Sequence, residues 1–191
     1  MTAMIYLSLV AASLLAANAF AAPTTTDSHR VCFTVGGTSD DQPRVAAQLE
    51  SLGSGLDIVL KGVQSPAYPG TPAKLSAGVQ NSHGFVNRNL TFSPNMEHEG
   101  LPSGSYGAST SDPGIIYGKV LPVTVNEHGS DGLWQVSSTG QLTHARYSDA
   151  FENFFACDKL LDQEGPYLMY GMAEENGQAP AGCSYTSVYF H

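Results

Sequence analysis

Basic residues are scarce in this chain of 191 residues. Only 8 Lys and Arg stand against 17 Asp and Glu, so the formal net charge at pH 7 is −9. Proteins that bind nucleic acids or anionic membranes use clusters of Lys and Arg to neutralise phosphates, and the sequence contains no such cluster. It therefore predicts no nucleic-acid partner, and no membrane partner for the mature protein.

Charged residues of either sign are also few. They make up 13 % of the chain, whereas about 25 % is usual. Gly, Ser, Thr, Asn and Pro fill the polar positions instead. Low charge combined with many turn-forming residues is typical of an extracellular β protein.

The first 22 residues carry no charge at all. An apolar run extends from Met4 to Ala17, and small-residue A-x-A patterns follow at Ala17–Ala19 and Ala19–Ala21. This pattern favours a secretory signal peptide, because a membrane span needs about 20 apolar residues. The absence of Lys and Arg before the run leaves a membrane anchor as the alternative. We predict a signal peptide over 1–21, a flexible leader over 22–30, a single domain over 31–191 and secretion to the medium or the cell wall.

Cysteine is limited to three residues. Secretion permits disulfides, and an odd number leaves one thiol over. We predict a Cys157–Cys183 disulfide and a buried, inert Cys32 thiol within the apolar stretch "VCFTV". An intermolecular bridge through Cys32 is the alternative.

Short β-branched and aromatic runs alternate with turn formers along most of the chain. This spacing predicts a single antiparallel β-sandwich or barrel-like domain with at most one or two short helices. A hairpin is expected where "LWQVS" and "LTHARY" flank "STGQ", with Gly140 in the turn. Further strands are expected in "FENFFAC", "YLMYGMA" and "YTSVYF" and over 31–35, 56–63, 85–92 and 115–125.

Two segments between these runs depart from the strand pattern. For 40–53, local rules predict a short helix: Asp40 or Asp41 caps it, Pro43 suits its first turn and Gly53 ends it. Val45, Leu49 and Leu52 would then share one face. The segment 93–114 is polar and is predicted to be a long loop.

One short segment carries candidate metal-binding residues. "MEHEG" places Glu97, His98 and Glu99 side by side, and such groups bind zinc or copper. However, H-E-x-x-H is absent, and a metal would need His128 or His144 to be brought in by folding. We favour a solvated loop tip for this segment.

Two further patterns are equally unspecific. "SGSYG" at 103–107 resembles a G-x-S-x-G nucleophile turn, but it begins with Ser and lacks a strand-to-helix context. A glycosidase needs two carboxylates at a defined separation, and the sequence does not select a pair. We predict no catalytic residue, no metal and no cofactor. The carboxylates considered are Asp57, Glu97, Glu99, Asp131, Asp149 and Glu152.

Two residues are candidates for carrying or binding carbohydrate. Asn89 begins the only N-glycosylation sequon, Asn89-Leu90-Thr91. Trp134, the only tryptophan, is either a core residue of the hairpin or a platform on which a sugar stacks. Strand alternation places Trp134 on the face of Val136, with Leu142 or His144 across the hairpin, which favours the core.

The second half of the chain resembles a family. "DGLWQVSSTGQLTHARYSDAFENFFAC" and "YLMYGMAEENGQAPAGCSYTSVYF" are similar to small secreted fungal cell-wall proteins of the PhiA-like, IgE-binding type. The matching places are Trp134, Gly140–Leu142, Phe155–Cys157 and Gly182–Cys183. The similarity is firm over 131–187 and weaker over the rest of 31–190, where "LTFSPNMEHEGLPSGS" looks like another segment of that family.

The resemblance implies a compact β domain with a terminal disulfide, and a strand near 44–50 where local rules prefer a helix. The chain departs from the family pattern at Cys32, which stands alone, whereas the family often has a second cysteine pair. The resemblance also implies residence in the fungal cell wall or the medium and a contribution to wall integrity or to spore-forming cells. Together with the signal peptide and the missing catalytic constellation, it predicts a secreted, non-enzymatic cell-wall protein whose partner is a wall polysaccharide or a host protein. The alternatives are a secreted effector that acts on a host protein and a hydrolase or metal-binding protein.

Overall fold

A computed structural model describes residues 29–53, 57–65, 69–80, 82, 84–110, 120–127, 129–145 and 153–191. The predicted signal peptide and most of the predicted leader lie outside these residues. The described chain is mainly β with one short helix, α1 (Met96–Glu99), which confirms the predicted fold class. Its strands are β1 (Val31–Thr34), β2 (Arg44–Ser51), β3 (Ile58–Val63), β4 (Ala73–Leu75), β5 (Val79–Gln80), β6 (Val86–Asn87), β7 (Leu90–Phe92), β8 (Tyr106–Thr110), β9 (Val120–Asn126), β10 (Trp134–Val136), β11 (Gln141–His144), β12 (Asn153–Leu160), β13 (Gln163–Gly171), β14 (Cys183–Tyr185) and β15 (Val188–Phe190).

Thirteen of these strands form one curled antiparallel sheet, a half-barrel. The strand order is β10-β11-β15-β1-β2-β3-β13-β9-β8-β7-β4, with β12 paired to β13 and β14 paired to β12. β5 and β6 form a separate two-stranded sheet. An isolated bridge between Arg88 and Trp134 joins β10, at one end of the order, to the segment that leads into β7, near the other end. The curl therefore brings distant strands together.

Strand alternation fills the core. In β2, Val45, Ala47 and Leu49 are buried, and the residues between them are half-buried. Because successive side chains point to opposite faces, one face of the sheet becomes continuous and apolar. A smaller second cluster lies where β12 pairs with β13 and contains Val59, Phe155, Cys157, Tyr167 and Met169.

The helix predicted within 40–53 is wrong. β2 occupies Arg44–Ser51 and pairs with β1 on one side and β3 on the other. The buried positions of Val45 and Leu49 fit a helix face and a strand face equally well, and pairing on both edges decides in favour of the strand. A strand in this segment is what the family resemblance implied.

The predicted loop over 93–114 is also wrong in part, because it contains α1 and β8. Every residue of β8 is buried except Ser109, which is half-buried. Small and hydroxyl-bearing residues are common in loops, so the composition of β8 predicts a loop instead of a strand. Residues 111–114 lie outside the described part of the chain.

The predicted hairpin is confirmed. β10 and β11 pair with Trp134 opposite His144 and Val136 opposite Leu142. Gly140 has a φ of 82°, a left-handed conformation that favours glycine. The expected strand over 85–92 divides into β6 and β7 at the bridge residue Arg88.

The Cys157–Cys183 disulfide is confirmed as well. The two residues lie directly opposite each other on β12 and β14. Cys32 is a free thiol, and it is half-buried rather than buried. Desolvation raises the pKa of its thiol, although the positive charges of Arg44 and Arg30 oppose the shift. A raised pKa leaves less thiolate, the reactive form, which agrees with an inert cysteine.

Candidate functional site

Trp134 belongs to the main core cluster and is fully buried. Its indole Nε1 donates a hydrogen bond to the carbonyl of Ala108 at 3.2 Å. Its ring stacks on Phe154, with centroids 5.8 Å apart, and forms a T-shaped contact with the imidazole of His144 at a centroid distance of 5.1 Å. The structure therefore places Trp134 in the core. A fully buried ring presents no face on which a sugar can stack.

Beside Trp134, an imidazole and a carboxylate form a close pair. His144 Nε2 is 2.8 Å from Asp131 Oδ2, and the His144 side chain is fully buried. Thr110 Oγ1 lies 3.2 Å from Nε2 and 3.4 Å from Nδ1 of the same ring. Tyr170 meets the imidazole at a centroid distance of 5.4 Å. β8, β11 and the turn before β10 thus converge on one polar cluster, Thr110, Asp131 and His144.

Asp131 accepts hydrogen bonds from two backbone amides as well as from the ring. The Thr110 N–H donates to Oδ2 at 2.9 Å, and the Leu133 N–H donates to Oδ1 at 3.3 Å. Partial burial by itself raises the pKa of the Asp131 carboxyl. The hydrogen bond and charge of His144, together with the two amides, outweigh that desolvation, so the net effect lowers the pKa. The carboxylate is held in its charged form.

The cluster superficially resembles a catalytic triad of hydroxyl, imidazole and carboxylate. In such a triad the nucleophile and the carboxylate bind opposite ring nitrogens, so that the imidazole passes a proton between them. Here Asp131 Oδ2 contacts Nε2 of His144, and Thr110 Oγ1 is also closer to Nε2 than to Nδ1. The geometry therefore suits a structural cluster, which we call the brace, that links β8, β11 and the turn before β10.

The predicted candidate metal residues lie on and beside α1. Asn95 caps this helix by accepting a hydrogen bond from the Glu97 N–H at 2.9 Å. Glu99 turns inward and accepts hydrogen bonds from the Thr71 hydroxyl and the Asn95 N–H. Glu97 and His98 are exposed. The segment is a short capped helix, and Glu99 anchors it to the body of the protein.

No group of three or more His, Cys, Asp or Glu able to hold a metal occurs within the described ranges. His128 lies outside those ranges, as do Asp149 and Glu152 among the carboxylates considered for a glycosidase pair. Of the others, Asp57 is exposed just before β3, and Asp131 belongs to the cluster with Thr110 and His144.

The stretch "SGSYG" is a turn that leads into β8. Ser103 and Ser105 are exposed, whereas Tyr106 is buried. The Tyr106 hydroxyl donates to the carbonyl of Pro102 and to Glu127 Oε1, each at 3.2 Å. A nucleophile turn follows a strand and precedes a helix, so the order of elements here is the reverse of what that chemistry requires.

Asn89 is exposed in the short connection between β6 and β7. Its backbone N–H donates to Ser76 Oγ at 2.9 Å, and its carbonyl accepts from the Ser76 N–H at 2.9 Å. The side chain is on the surface, where a glycan can be attached, and glycosylation of Asn89 stays a prediction.

Sequence reasoning missed the pairing of Asp131 with His144, although it considered both residues separately. The hairpin register could have predicted this pair. Trp134 lies opposite His144, and Asp131 is three residues before Trp134 in the chain. The approach of Thr110 from β8 is a long-range contact with no local signal.

No helix within the described ranges is long and apolar enough to cross a membrane. Comparison of the chain with protein-family models, with curated proteins and with solved structures gave no match.

Proposed function

We propose that this chain is a secreted, non-enzymatic protein that associates with the fungal cell wall. The observation that carries the proposal is the Cys157–Cys183 disulfide, which links β12 to β14. Disulfides form and persist in oxidising compartments such as the secretory pathway and the cell surface. The uncharged, alanine-rich N-terminal segment supports the same route.

A binding role, as opposed to a catalytic one, is supported by the cluster of Thr110, Asp131 and His144. Both carboxylate oxygens of Asp131 accept hydrogen bonds from within the protein, and the imidazole of His144 has no exposed side-chain surface. A general base has to reach a substrate proton directly or through one water. The cluster therefore suits the stability of a wall component that persists outside the cell.

The wall itself is proposed as the partner because of the composition of the protein surface. Wall polysaccharides present mainly hydroxyl groups, and the chain is rich in amides and hydroxyls and poor in charge. The resemblance of residues 131–187 to PhiA-like wall proteins supports this partner. Wall integrity and spore-forming cells are the processes to which such a protein contributes.

The test is retention of the purified mature protein on insoluble chitin, on insoluble β-glucan and on intact fungal walls. We expect at least one of these materials to retain the native protein, and a reduced and unfolded sample to lose specific, saturable retention. An acidic secreted protein of similar size serves as the control for nonspecific trapping. Absence of saturable retention on all three materials would contradict a wall function and favour an effector that acts on a host protein.

A further inference from the structure

The small sheet of β5 and β6 exposes an unusual amount of apolar surface. Val79 is 72 % exposed and Phe85 is 53 % exposed. Five large apolar side chains are strongly exposed in the described part of the chain, and three of them belong to this hairpin. The third is Val86. Exposed apolar side chains that cluster in this way mark binding surfaces.

The strand register aligns Val79 with polar neighbours on the main sheet. Val79 pairs with Asn87. The bridge between Arg88 and Trp134 brings Asn87 beside Gln135, and Gln135 Nε2 donates to Asn87 Oδ1 at 3.0 Å. Gln135 in turn pairs with Thr143. These four residues form one cross-strand line, which we call the uncharged row: Val79, Asn87, Gln135 and Thr143.

The uncharged row faces away from the core. Side chains alternate along a strand, and Trp134 and Val136, on either side of Gln135, pack into the buried cluster. Phe85 precedes Asn87 by two residues, so alternation places its ring on the same face as the row. Four strands about 4.8 Å apart give the row a length of about 14 Å. This is long enough to contact more than one sugar ring.

The chemistry of the row matches a neutral polysaccharide. The sequence from 75 to 87 contains no Asp, Glu, Lys or Arg. The bond between Gln135 and Asn87 uses one donor and one acceptor, and it does not use the Oε1 of Gln135 or the Nδ2 of Asn87. Amides and the Thr143 hydroxyl can both donate to and accept from sugar hydroxyls. The ring of Phe85 and the methyls of Val79 suit the apolar C–H faces of sugars.

Two other kinds of partner fit less well. A stable protein interface buries about 800 Å² on each side, whereas the row is a single line of side chains. An anionic membrane attracts clustered Lys and Arg, which this segment lacks. We propose that the uncharged row, with Phe85, binds a neutral cell-wall polysaccharide. This proposal rests on the proposed wall function and identifies the surface that performs it.

The experiment measures the retention of surface variants on chitin, on β-glucan and on mannan, so that the three sources of sugar hydroxyls are distinguished. Phe85→Ser removes the ring, and Gln135→Ala removes one amide of the row. We expect each to weaken binding about three- to tenfold, the size of a lost ring or hydrogen-bond contact. Phe85→Tyr keeps the ring and should retain binding.

Met96→Ser is the matched control. Met96 is 64 % exposed on α1, so this variant removes a comparable exposed apolar side chain from outside the row. All variants are produced in the same secreting host, which keeps any modification of Asn89 constant, and circular dichroism confirms that each is folded.

The outcomes separate the two proposals. Weaker binding by Phe85→Ser and Gln135→Ala with unchanged binding by Met96→Ser supports the row as the site. Unchanged binding by all variants overturns the row and leaves the wall function standing. No binding by the native protein overturns both. A concentration-dependent dimer that Phe85→Ser abolishes, with polymer binding unaltered, overturns the row as a sugar site and assigns it to self-association.

Discussion

Asp131 is the residue on which three segments of the chain converge. Its carboxylate accepts hydrogen bonds from β8 through the Thr110 N–H, from the Leu133 N–H and from the His144 ring. Hydrogen bonds to a charged group are worth about 1.5–3 kcal/mol each when one partner is removed. A single carboxylate can therefore contribute a sizeable fraction of the stability of a domain of this size.

We expect Asp131→Asn to lower the free energy of unfolding at pH 7 by about 2 kcal/mol. The amide keeps one acceptor oxygen but loses the charge, and its NH₂ group opposes one of the present donors. Urea denaturation followed by circular dichroism measures the change. Asp162→Asn, in the exposed turn between β12 and β13, is the control and should change stability by less than about 0.5 kcal/mol.

The same variant tests the direction of the Asp131 pKa shift. Because folding lowers this pKa, the carboxylate stabilises the fold fully above its unfolded value of about 3.9. That contribution disappears as the pH falls through the lower, folded-state pKa. The stability difference between native and Asp131→Asn protein should thus be largest at neutral pH and shrink in acid below about pH 4. A difference that grows in acid would show that the shift has the opposite sign.

At the scale of elements, β14 depends on its covalent link to β12. It has three residues, pairs only with β12 in the described sheet, and carries Tyr185, whose ring lies 5.0 Å from that of Phe155. The disulfide closes a loop with a sequence separation of 26 residues. In the chain-entropy model, such a loop stabilises a fold by about 3.5 kcal/mol at 25 °C.

We expect the double variant Cys157→Ala, Cys183→Ala to lose about 3 kcal/mol of stability. Hydrogen exchange should rise first in β14, while β1 and β2 stay protected, because they lie elsewhere in the main sheet. Cys32→Ser is the control, since Cys32 forms no disulfide within the chain. If the double variant matched the native protein in both stability and exchange, the disulfide would have no structural role.

Some elements could be predicted from the sequence, and others could not. The β10–β11 hairpin was predictable because its turn and its alternating residues are adjacent in sequence. β2 was not, since its burial pattern fits a helix as well as a strand, and its partners β1 and β3 decide the outcome. The candidate brace was missed for the same reason, because Thr110 reaches His144 across 34 positions of the chain. Local rules cannot see such contacts.

At the scale of the whole molecule, the curled sheet separates two kinds of surface. Its buried face holds the aromatic cluster around Trp134 and the brace of Asp131 and His144. At the end of the sheet formed by β10 and β11, the uncharged row lies on a protein whose formal net charge is −9. The acidic surface favours solubility and attracts basic partners, whereas the row has no charge to contribute. The two surfaces therefore predict different responses to salt.

We expect retention on a neutral wall polysaccharide to change little between about 0.01 M and about 1 M NaCl. Over this range the Debye length falls from about 30 Å to about 3 Å, which screens exposed charges almost completely. Binding through amides, hydroxyls and an aromatic ring does not depend on that screening. A host protein captured by the acidic surface would instead be released as salt rises. Measuring the bound fraction across this salt series, with the native protein and with Phe85→Ser in parallel, thus distinguishes the wall function from the effector alternative. Binding that weakens as salt rises, and that is the same for the native protein and Phe85→Ser, would place the interaction on the acidic surface.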